Sequence, residues 1–311
     1  MTAPLFITGA TGFVGRRLVD ALVRARVTDV RLLVRDVPKF EATFVMPTTW
    51  QCVAGSLDAP AAWRDSLSGV HTVVHLASSS GKVSRSAHER AIVRGTEQLL
   101  AAARDAGVKR FLYVSSVAAG FADRRHYHYA EAKRNAELLV QTSGLETLIV
   151  RPTMVFGVGS AVLDGMRKMA KLPVPIVFGD GAPNVQPIHV DDLASLLLLA
   201  LDPSLPWGGA TITVGGADVV STETLLRRLR ADASSDVRVK HVAVDPLRAL
   251  LALVEPVLLP LLPFTAGQLT SFVNRSDAGA PGPLLSTLLA RLSPPLRGLD
   301  AMLPADESRG N

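Results

Sequence analysis

The sequence predicts an α/β fold, a doubly wound parallel sheet with a smaller C-terminal lobe. Strand and helix patterns alternate through the first half of the chain, and such alternation is typical of a parallel sheet covered by helices on both faces. A glycine-rich turn joins the first apolar run to the first helical run, and the regular pattern loosens after Pro152. We therefore expect residues 1–155 to form the core and residues 156–311 to form a mixed lobe, interleaved with the core at about 182–215.

Short apolar runs predict the strands of the core, which are Leu5–Thr8, Val30–Val34, Trp50–Val53, Thr72–Leu76, Phe111–Ser115 and Thr147–Arg151. Helical periodicity is clearest at Arg16–Arg26, His88–Ala106 and Ala130–Ser143. Gly107 and Gly144 follow two of these helices, in the position that helix C-termini prefer.

The lobe has a less regular pattern. We expect a loop at Phe156–Gly181 and strands at Thr211–Val214 and Val237–Val244. Charged residues and prolines interrupt the apolar segment Pro246–Phe264, which excludes a membrane-spanning helix. The segment is consistent with a buried helix, with a lid over an apolar substrate or with a surface that touches a membrane. Leucines in the tail after Asn274 predict one more helix.

The turn after the first strand carries three glycines at G-x-x-G-x-x-G spacing. Gly9 permits the bend out of the strand, Gly12 lets the backbone approach a pyrophosphate, and Gly15 lets the helix pack closely against the sheet. Free N–H groups at the start of a helix bind phosphate oxygens. The turn therefore predicts a dinucleotide-binding Rossmann fold. The expected cofactor contacts in the turn are Gly9, Thr11, Gly12, Phe13, Val14 and Gly15.

The end of the second predicted strand decides between two nicotinamide cofactors. An acidic residue about 20 positions past the glycines accepts hydrogen bonds from the ribose 2′-OH of NAD, whereas an arginine pairs with the 2′-phosphate of NADP. Arg35 and Asp36 are adjacent here, and Arg16 stands at the start of the helix. We expect NADP, bound through Arg35, and keep NAD, bound through Asp36, as the alternative.

Tyr129 and Lys133 lie four residues apart on a predicted helix and so share one face. A lysine ammonium beside a phenol favours the phenolate, so we expect a tyrosine pKa lowered toward the range of proton exchange. Ser115 and Ser116 end the preceding strand on the same side of the sheet. A hydroxyl there can hydrogen-bond a substrate carbonyl or alkoxide, which indicates oxidoreductase chemistry.

From Pro4 to Leu201 the chain resembles the short-chain dehydrogenase/reductase superfamily, in its extended and atypical branches with their NAD-dependent epimerase/dehydratase-like members. The segments that carry the resemblance are the glycine turn, Val74-His75-Leu76-Ala77, Gly95-Thr96, Ser115-Ser116, Tyr129 with Lys133, Arg151-Pro152-Thr153 and His189-Val190-Asp191-Asp192. The apolar C-terminal part is most similar to the group of the NADPH-holding accessory subunit of respiratory complex I. The resemblance implies that Ser116 polarises the substrate, that Tyr129 is the acid/base and that Lys133 positions the ribose. It also implies cofactor contacts at Leu57, Leu76, Ala77, Ser115, Tyr129, Lys133 and Pro152.

Two positions depart from the family pattern. Gly55-Ser56-Leu57 replaces Gly-Asp-Leu after the third strand, and Ile92-Val93-Arg94 stands where an asparagine often precedes Gly-Thr. That asparagine supports a proton relay, so its absence leaves three functions open. We expect an NAD(P)-dependent oxidoreductase that acts on a hydrophobic carbonyl or alcohol by hydride transfer. The alternatives are a non-catalytic NADP(H)-binding scaffold or redox-sensing assembly protein, and a nucleotide-sugar epimerase or dehydratase.

The composition of the chain restricts the classes of binding partner that we expect. The net charge is +5, yet the basic residues are scattered, which argues against nucleic-acid binding. His126 and His128 lack a third ligand nearby, so we expect no metal site. Cys52 is the only cysteine and the first strand begins at the N-terminus, so we expect a cytoplasmic protein without a signal peptide. The expected partner is a small hydrophobic substrate; peripheral membrane contact and a homodimer are compatible with the sequence.

Overall fold

The computed structural model describes residues 3–230, 238–259, 261–262 and 264–303, and for Pro256 only the backbone. The strands in chain order are β1 Leu5–Thr8, β2 Val30–Val34, β3 Gln51–Ala54, β4 Thr72–His75, β5 Arg110–Val114, β6 Glu146–Pro152, β7 Val155–Phe156, β8 Ile176–Phe178, β9 Asn184–Val185, β10 Ile188–His189, β11 Thr211–Val214, β12 Val220–Ser221 and β13 Lys240–Val242.

The helices are α1 Phe13–Arg24, α2 Val37–Glu41, α3 Arg85–His88, α4 Gly95–Asp105, α5 His128–Gln141, α6 Ala161–Ala170, α7 Val190–Ala200, α8 Thr222–Leu229, α9 Val244–Leu258, α10 Ala266–Thr270, α11 Pro283–Arg291 and α12 Leu299–Met302. Short 3₁₀ turns lie at Pro60–Ala62, Arg64–Leu67 and Val117–Gly120, and a π-helical turn at Glu89–Arg94 joins α3 to α4. The helix predicted at His88–Ala106 covers the π turn and α4, so that prediction misses both the π turn and the three residues of α3 before His88.

In the described part of the chain, a seven-stranded sheet has the order β11-β6-β5-β4-β1-β2-β3. Each pair of neighbours is parallel. The strand order reverses between β4 and β1, and doubly wound sheets bind their ligands at such a point. The predicted parallel α/β fold and the six predicted strands of the core are therefore confirmed, with ends that differ by one or two residues.

Apolar faces attach the helices to the sheet. In α1 the buried positions Gly15, Leu18, Val19 and Leu22 recur at helical spacing. They pack with β1, β2 and α7 in one core cluster, whereas α4 and α5 cover the opposite face together with the 3₁₀ turns after β3. Both faces of β1 and β4 are thus buried, as expected for strands at the centre of a parallel sheet.

The lobe has its own core and is more regular than the sequence predicts. Ribbons of two strands pair β7 with β10, β9 with β12 and β8 with β13. The loop expected at Phe156–Gly181 is wrong, because α6 and β8 lie there. Ser160 caps α6 by accepting a hydrogen bond from the backbone N–H of Leu163, and the helix buries its apolar face against α8. This burial depends on residues about 60 positions further along the chain, which local patterning does not reveal.

The C-terminal leucines form α11, as predicted. The strand expected at Val237–Val244 corresponds to β13, and residue 237 lies outside the described residues. Most of the apolar segment Pro246–Phe264 belongs to α9. Among the residues described, no helix combines the length and apolarity needed to cross a membrane.

Candidate active site

The sheet brings the predicted site residues together at its carboxyl edge. The residues at or just beyond the ends of β1 to β6 are, in order, the glycine turn 9–15, Arg35 with Asp36, Leu57, Leu76 with Ala77, Ser115 with Ser116, and Pro152. Tyr129 and Lys133 reach the same edge from α5, which follows β5. Parallel strands end at one edge, so residues far apart in sequence become neighbours there.

The glycine turn is packed too closely for side chains. Gly9 has φ +79°, and a Cβ atom there would lie 2.5 Å from the backbone N of Ala77. A Cβ atom on Gly15 would lie 2.0 Å from the carbonyl oxygen of Gly9. Gly9 thus lets the turn after β1 pack against the turn after β4, and Gly15 lets α1 pack against the turn after β1.

The first turn of α1 is open to an anionic ligand. Gly12 is the N-cap residue, and within the described chain no side chain accepts a hydrogen bond from the first turn of the helix. The first turn also contains no acidic residue. Uncapped N–H groups and the positive end of the helix dipole favour phosphate oxygens. The geometry therefore fits the pyrophosphate of a dinucleotide.

Arg35 and Asp36 have different environments. The Asp36 carboxylate caps α2 by accepting a hydrogen bond from the backbone N–H of Lys39, at 3.0 Å. Arg35 is exposed, and its side chain forms no hydrogen bond or ion pair with the described residues. Arg16 instead donates from Nε to the carbonyl oxygen of Thr11, at 3.1 Å. Capping of α2 occupies one acceptor of Asp36, whereas the guanidinium of Arg35 is free to pair with an anion.

A buried hydrogen-bond chain fixes the end of β4. His75 lies between Thr8 Oγ1, at 2.6 Å from Nδ1, and Thr96 Oγ1, at 3.0 Å from Nε2. Thr96 Oγ1 donates to the carbonyl oxygen of Ile92, so it accepts from Nε2–H, and Nδ1 accepts from Thr8. Burial lowers the pKa of His75 to about 3, and the charge of Lys133 lowers it further. The imidazole is thus a neutral structural link between β1, β4 and α4.

Tyr129, Ser116 and Lys133 converge at the carboxyl ends of β5 and β6. The Ser116 hydroxyl lies close enough to the Tyr129 phenol to favour its ionised form. The Lys133 ammonium is buried and donates from Nζ to the carbonyl oxygen of Val114, at 2.9 Å. Nζ lies 6.0 Å from the centre of the Tyr129 ring. The structure therefore brings together the three residues expected to be catalytic, with Ser116 rather than Ser115 beside the tyrosine.

The expectation of a lowered tyrosine pKa is wrong for this arrangement. Burial raises the pKa of Tyr129, and the Ser116 hydroxyl opposes the rise only in part. Burial lowers the pKa of Lys133 to about 7, while the negative charge of Glu137 opposes this shift. The lysine is held at the Val114 carbonyl and is only partly charged near neutral pH. Tyr129 is consequently a neutral phenol that can donate a proton.

Aromatic neighbours orient the Tyr129 ring, and sequence reasoning missed one of them. Tyr127 lies 5.9 Å and His88 5.7 Å from the ring, measured between ring centres. His88 is buried and bonds through Nδ1 to Ser79 Oγ, at 2.9 Å. Burial lowers its pKa to about 4. Its place at the end of α3, before the π turn, has no signal in local sequence that separates it from an ordinary helical histidine.

The lobe clamps the loop that leads into Tyr129. Arg248 of α9 is buried and donates to Asp123 at 2.9 Å and to Asp245 at 2.5 Å. Asn274 donates from Nδ2 to the carbonyl oxygen of Asp123, at 2.9 Å, and accepts from its backbone N–H, at 3.3 Å. These partners lie 125 and 151 positions away in sequence. The sequence gives no signal for this contact.

A nicotinamide dinucleotide fits these groups. The uncapped first turn of α1 faces the phosphates, and Arg35 is available to a 2′-phosphate. Ser115 Oγ is buried without a hydrogen-bond partner in the described structure, and a buried polar atom of this kind favours a ligand that satisfies it. A cavity of about 170 Å³ between Leu22, Val27 and Leu198 lies at the opposite, amino edge of the sheet and takes no part in this site.

Known proteins are similar to this chain in sequence. A ketoreductase of Stigmatella aurantiaca, named for 4-hydroxy-2-methyl-3-oxo-4-farnesyl-3,4-dihydroquinoline-1-oxide, is 34% identical over 171 residues, which are 49% of this chain and 50% of that protein. The ceramide reductase of Caulobacter vibrioides is 34% identical over 193 residues, which are 62% of this chain and 59% of that protein. The chain thus spans little more than half the length of these relatives.

Solved structures agree on the fold. DesIV, a dTDP-glucose 4,6-dehydratase from Streptomyces venezuelae with NAD bound, superposes with a TM-score of 0.64 and 23% identity, covering 77% of this chain and 84% of DesIV. The model of the NAD dependent epimerase/dehydratase family matches residues 5–215, from β1 to the residue after β11. Because this match covers more than half of the chain and includes the whole parallel sheet, the protein belongs to the NAD dependent epimerase/dehydratase family, within the extended short-chain dehydrogenases/reductases.

Proposed function

We propose that this protein is an NADPH-dependent reductase of lipophilic carbonyl compounds. The observation that carries the proposal is that the Tyr129 phenol lies beside the Ser116 hydroxyl and one helical turn from the buried Lys133, at the carboxyl edge of the sheet. A phenol that stays protonated at neutral pH acts as a general acid, and reduction of a carbonyl requires a proton donor at the oxygen. Like an ordinary phenol, Tyr129 is protonated near neutral pH, so the free protein holds the form of this group that reduction uses.

The chain's own residues then have distinct tasks. Bound NADPH supplies the hydride that reduces the carbonyl carbon. The Ser116 hydroxyl donates a hydrogen bond to the carbonyl oxygen and polarises it. Tyr129 donates its proton to the same oxygen, which completes the alcohol. Lys133 lies behind the tyrosine on the next turn of α5, where its ammonium supports the phenolate that remains.

Two observations support an apolar substrate. The C-terminal lobe, which adjoins the loop before Tyr129, presents an apolar helix, α9, beside the site. The two relatives at 34% identity are named for a farnesyl-bearing quinoline oxide and for ceramide. Both compounds carry long hydrocarbon chains. We therefore place the substrate among carbonyl compounds with such chains rather than among sugar nucleotides.

The reaction is tested by following NADPH absorbance with a panel of carbonyl compounds of increasing chain length. We expect NADPH consumption in a 1:1 ratio with the alcohol formed, and kcat/KM values that rise with chain length because each buried methylene contributes about 0.8 kcal/mol. Nucleoside diphosphate sugars are the comparison. Conversion of such sugars without net consumption of cofactor would contradict the reductase and would favour an epimerase.

Cofactor choice is tested by replacing Arg35 with Ala. We expect NADPH affinity to fall by about tenfold to a hundredfold, the range for a lost charge-assisted hydrogen bond, while NADH affinity stays nearly constant. Fluorescence titration of the two cofactors measures both affinities. Arg64→Ala removes an exposed arginine on a 3₁₀ turn after β3 and is the control. Preferential binding of NADH by the unchanged protein, weakened by Asp36→Ala, would contradict the assignment to Arg35.

A further inference from the structure

The outer face of α9 is apolar, as is its inner face, where Leu251 lies in the core of the lobe. Five apolar side chains of α9 and of the residues just after it are exposed, and we call this set the α9 stripe. Its members and their exposed fractions are Leu250 57%, Leu253 77%, Val257 81%, Leu258 40% and Leu261 81%. The spacing of three or four residues places Leu250, Leu253 and Val257 along one side of the helix. A surface helix of a globular protein normally turns this face toward the core.

The charged groups of the same segment point inward. Arg248 is 4% exposed and is paired with Asp123 and Asp245. Glu255 accepts a hydrogen bond from the backbone N–H of Ala266, at 3.0 Å. These are the only two charged residues between positions 246 and 262. The stripe is therefore a continuous apolar surface without a charge of its own, and contiguous exposed apolar patches mark interaction sites.

The two ends of the α9 stripe adjoin two loops of the candidate active site. At its C-terminal end, Lys82 Nζ donates to the carbonyl oxygen of Leu262, at 2.8 Å. Lys82 belongs to the loop that follows Ala77 at the end of β4. Near the start of the helix, Arg248 holds Asp123 in the loop that leads into Tyr129. The stripe thus spans two loops, one that follows Ala77 and one that leads into Tyr129, both of which belong to the candidate site.

We infer that the α9 stripe docks this protein on the surface of an anionic phospholipid bilayer. Five side chains are few for a specific protein–protein interface, which takes about 20–30 residues on each side. An amphipathic helix that lies in the plane of a bilayer inserts only its apolar face, to a depth of about 5–10 Å. In size, the α9 stripe matches the apolar face of such a membrane-inserted helix.

The charges beside the stripe match anionic lipid headgroups. Lys82 and Arg85 are exposed in the loop and helix that adjoin the C-terminal end of the stripe. The exposed Asp245 at the start of α9 is paired with Arg248 at 2.5 Å and faces Arg125 at 4.0 Å, so its charge is offset. Exposed cations near a bilayer are attracted to anionic lipids within about a Debye length.

Docking in this position would give the site direct access to substrates dissolved in the bilayer, a consequence that rests on the proposed function. A lipophilic carbonyl compound partitions into the membrane, and a site held at the membrane surface removes the need to cross water. Vesicle binding is measured without turnover. The inference can therefore fail while the reductase activity is found, and it can hold when that activity is absent.

The test is co-sedimentation of the full-length protein with vesicles of phosphatidylcholine alone and of phosphatidylcholine mixed with phosphatidylglycerol. We expect binding to the mixed vesicles and weaker binding to phosphatidylcholine alone. The double variant Leu253→Glu/Val257→Glu is expected to lose binding by about tenfold or more, because it places two charges in the inserted face. The control is Val45→Glu/Val158→Glu, which makes the same change at valines that are 91% and 88% exposed outside α9.

Three outcomes would overturn the inference. The unchanged protein does not sediment with either vesicle, the double variant binds as well as the unchanged protein, or the control loses binding equally. Light scattering after gel filtration supplies a separate check. A dimer that the double variant converts to a monomer would assign the stripe to contact with a second copy of this chain. Equal melting temperatures of the two double variants show that a difference in binding does not come from unfolding.

Discussion

Replacement of Tyr129 with Phe is expected to lower kcat for carbonyl reduction by about 10²–10⁴-fold, the range for loss of a general acid. The variant keeps the ring that packs between His88 and Tyr127 and removes only the hydroxyl that lies beside Ser116. We therefore expect NADPH affinity to stay within about twofold, since the phosphate-binding turn and Arg35 are untouched. Steady-state NADPH oxidation and fluorescence titration measure the two quantities.

Tyr127→Phe is the matched control, because it removes a phenol hydroxyl two residues earlier in the same aromatic cluster. Burial also raises the pKa of Tyr127, and its ring packs against Phe121 rather than against Ser116. Turnover close to that of the unchanged protein is expected. Equal losses in the two variants would make the cluster structural, and full turnover in Tyr129→Phe would exclude this tyrosine as the acid. If the protein is a non-catalytic NADPH-binding scaffold, the unchanged protein will itself show no turnover.

Features set by neighbouring residues could be predicted from the sequence. The glycine turn is an example, because each glycine is required by a contact within the turn or with the end of β4. The four-residue spacing of Tyr129 and Lys133 is another, since a helix places such residues on one face whatever surrounds it. The location of the site at the carboxyl edge of the sheet follows from the predicted series of parallel strands. Six parallel strands, each followed by a site residue, place those residues together without knowledge of their side-chain contacts.

The state of the catalytic groups could not be predicted, because it depends on burial and on distant partners. The spacing of Tyr129 and Lys133 indicates a lowered tyrosine pKa, but the lysine is bonded to the Val114 carbonyl and is itself partly neutral. Ile92, Val93 and Arg94 stand where the family often has an asparagine, and the carbonyl oxygen of the buried Ile92 accepts from Thr96. These three residues end a π turn that the sequence does not reveal. The protonation of Tyr129 and Lys133 and the backbone before Gly95 depend on contacts between residues that are distant in sequence.

Replacement of Arg248 with Met is expected to destabilise the protein by about 1.5–3 kcal/mol, the range for lost hydrogen bonds to a charged group. Methionine keeps the apolar stem but leaves Asp123 without the guanidinium that holds its loop. The loss stays within this range because Asp123 and Asp245 are 28% and 81% exposed and regain water. Urea unfolding, monitored by fluorescence, measures the change in the free energy of unfolding.

Arg275→Met is the control that separates the effect of losing a buried arginine from the effect of losing a positive charge. Arg275 pairs with Asp277 at 2.6 Å, a distance similar to that of the Arg248 pairs, but its side chain is 70% exposed. An exposed pair of this kind contributes little to the free energy of unfolding, because water and salt screen it. A similar loss in both variants would show that the clamp has no special role. A larger loss in Arg248→Met, together with a kcat that falls at saturating substrate, would show that the lobe holds Tyr129 in its working position, because the loop of Asp123 leads directly into α5.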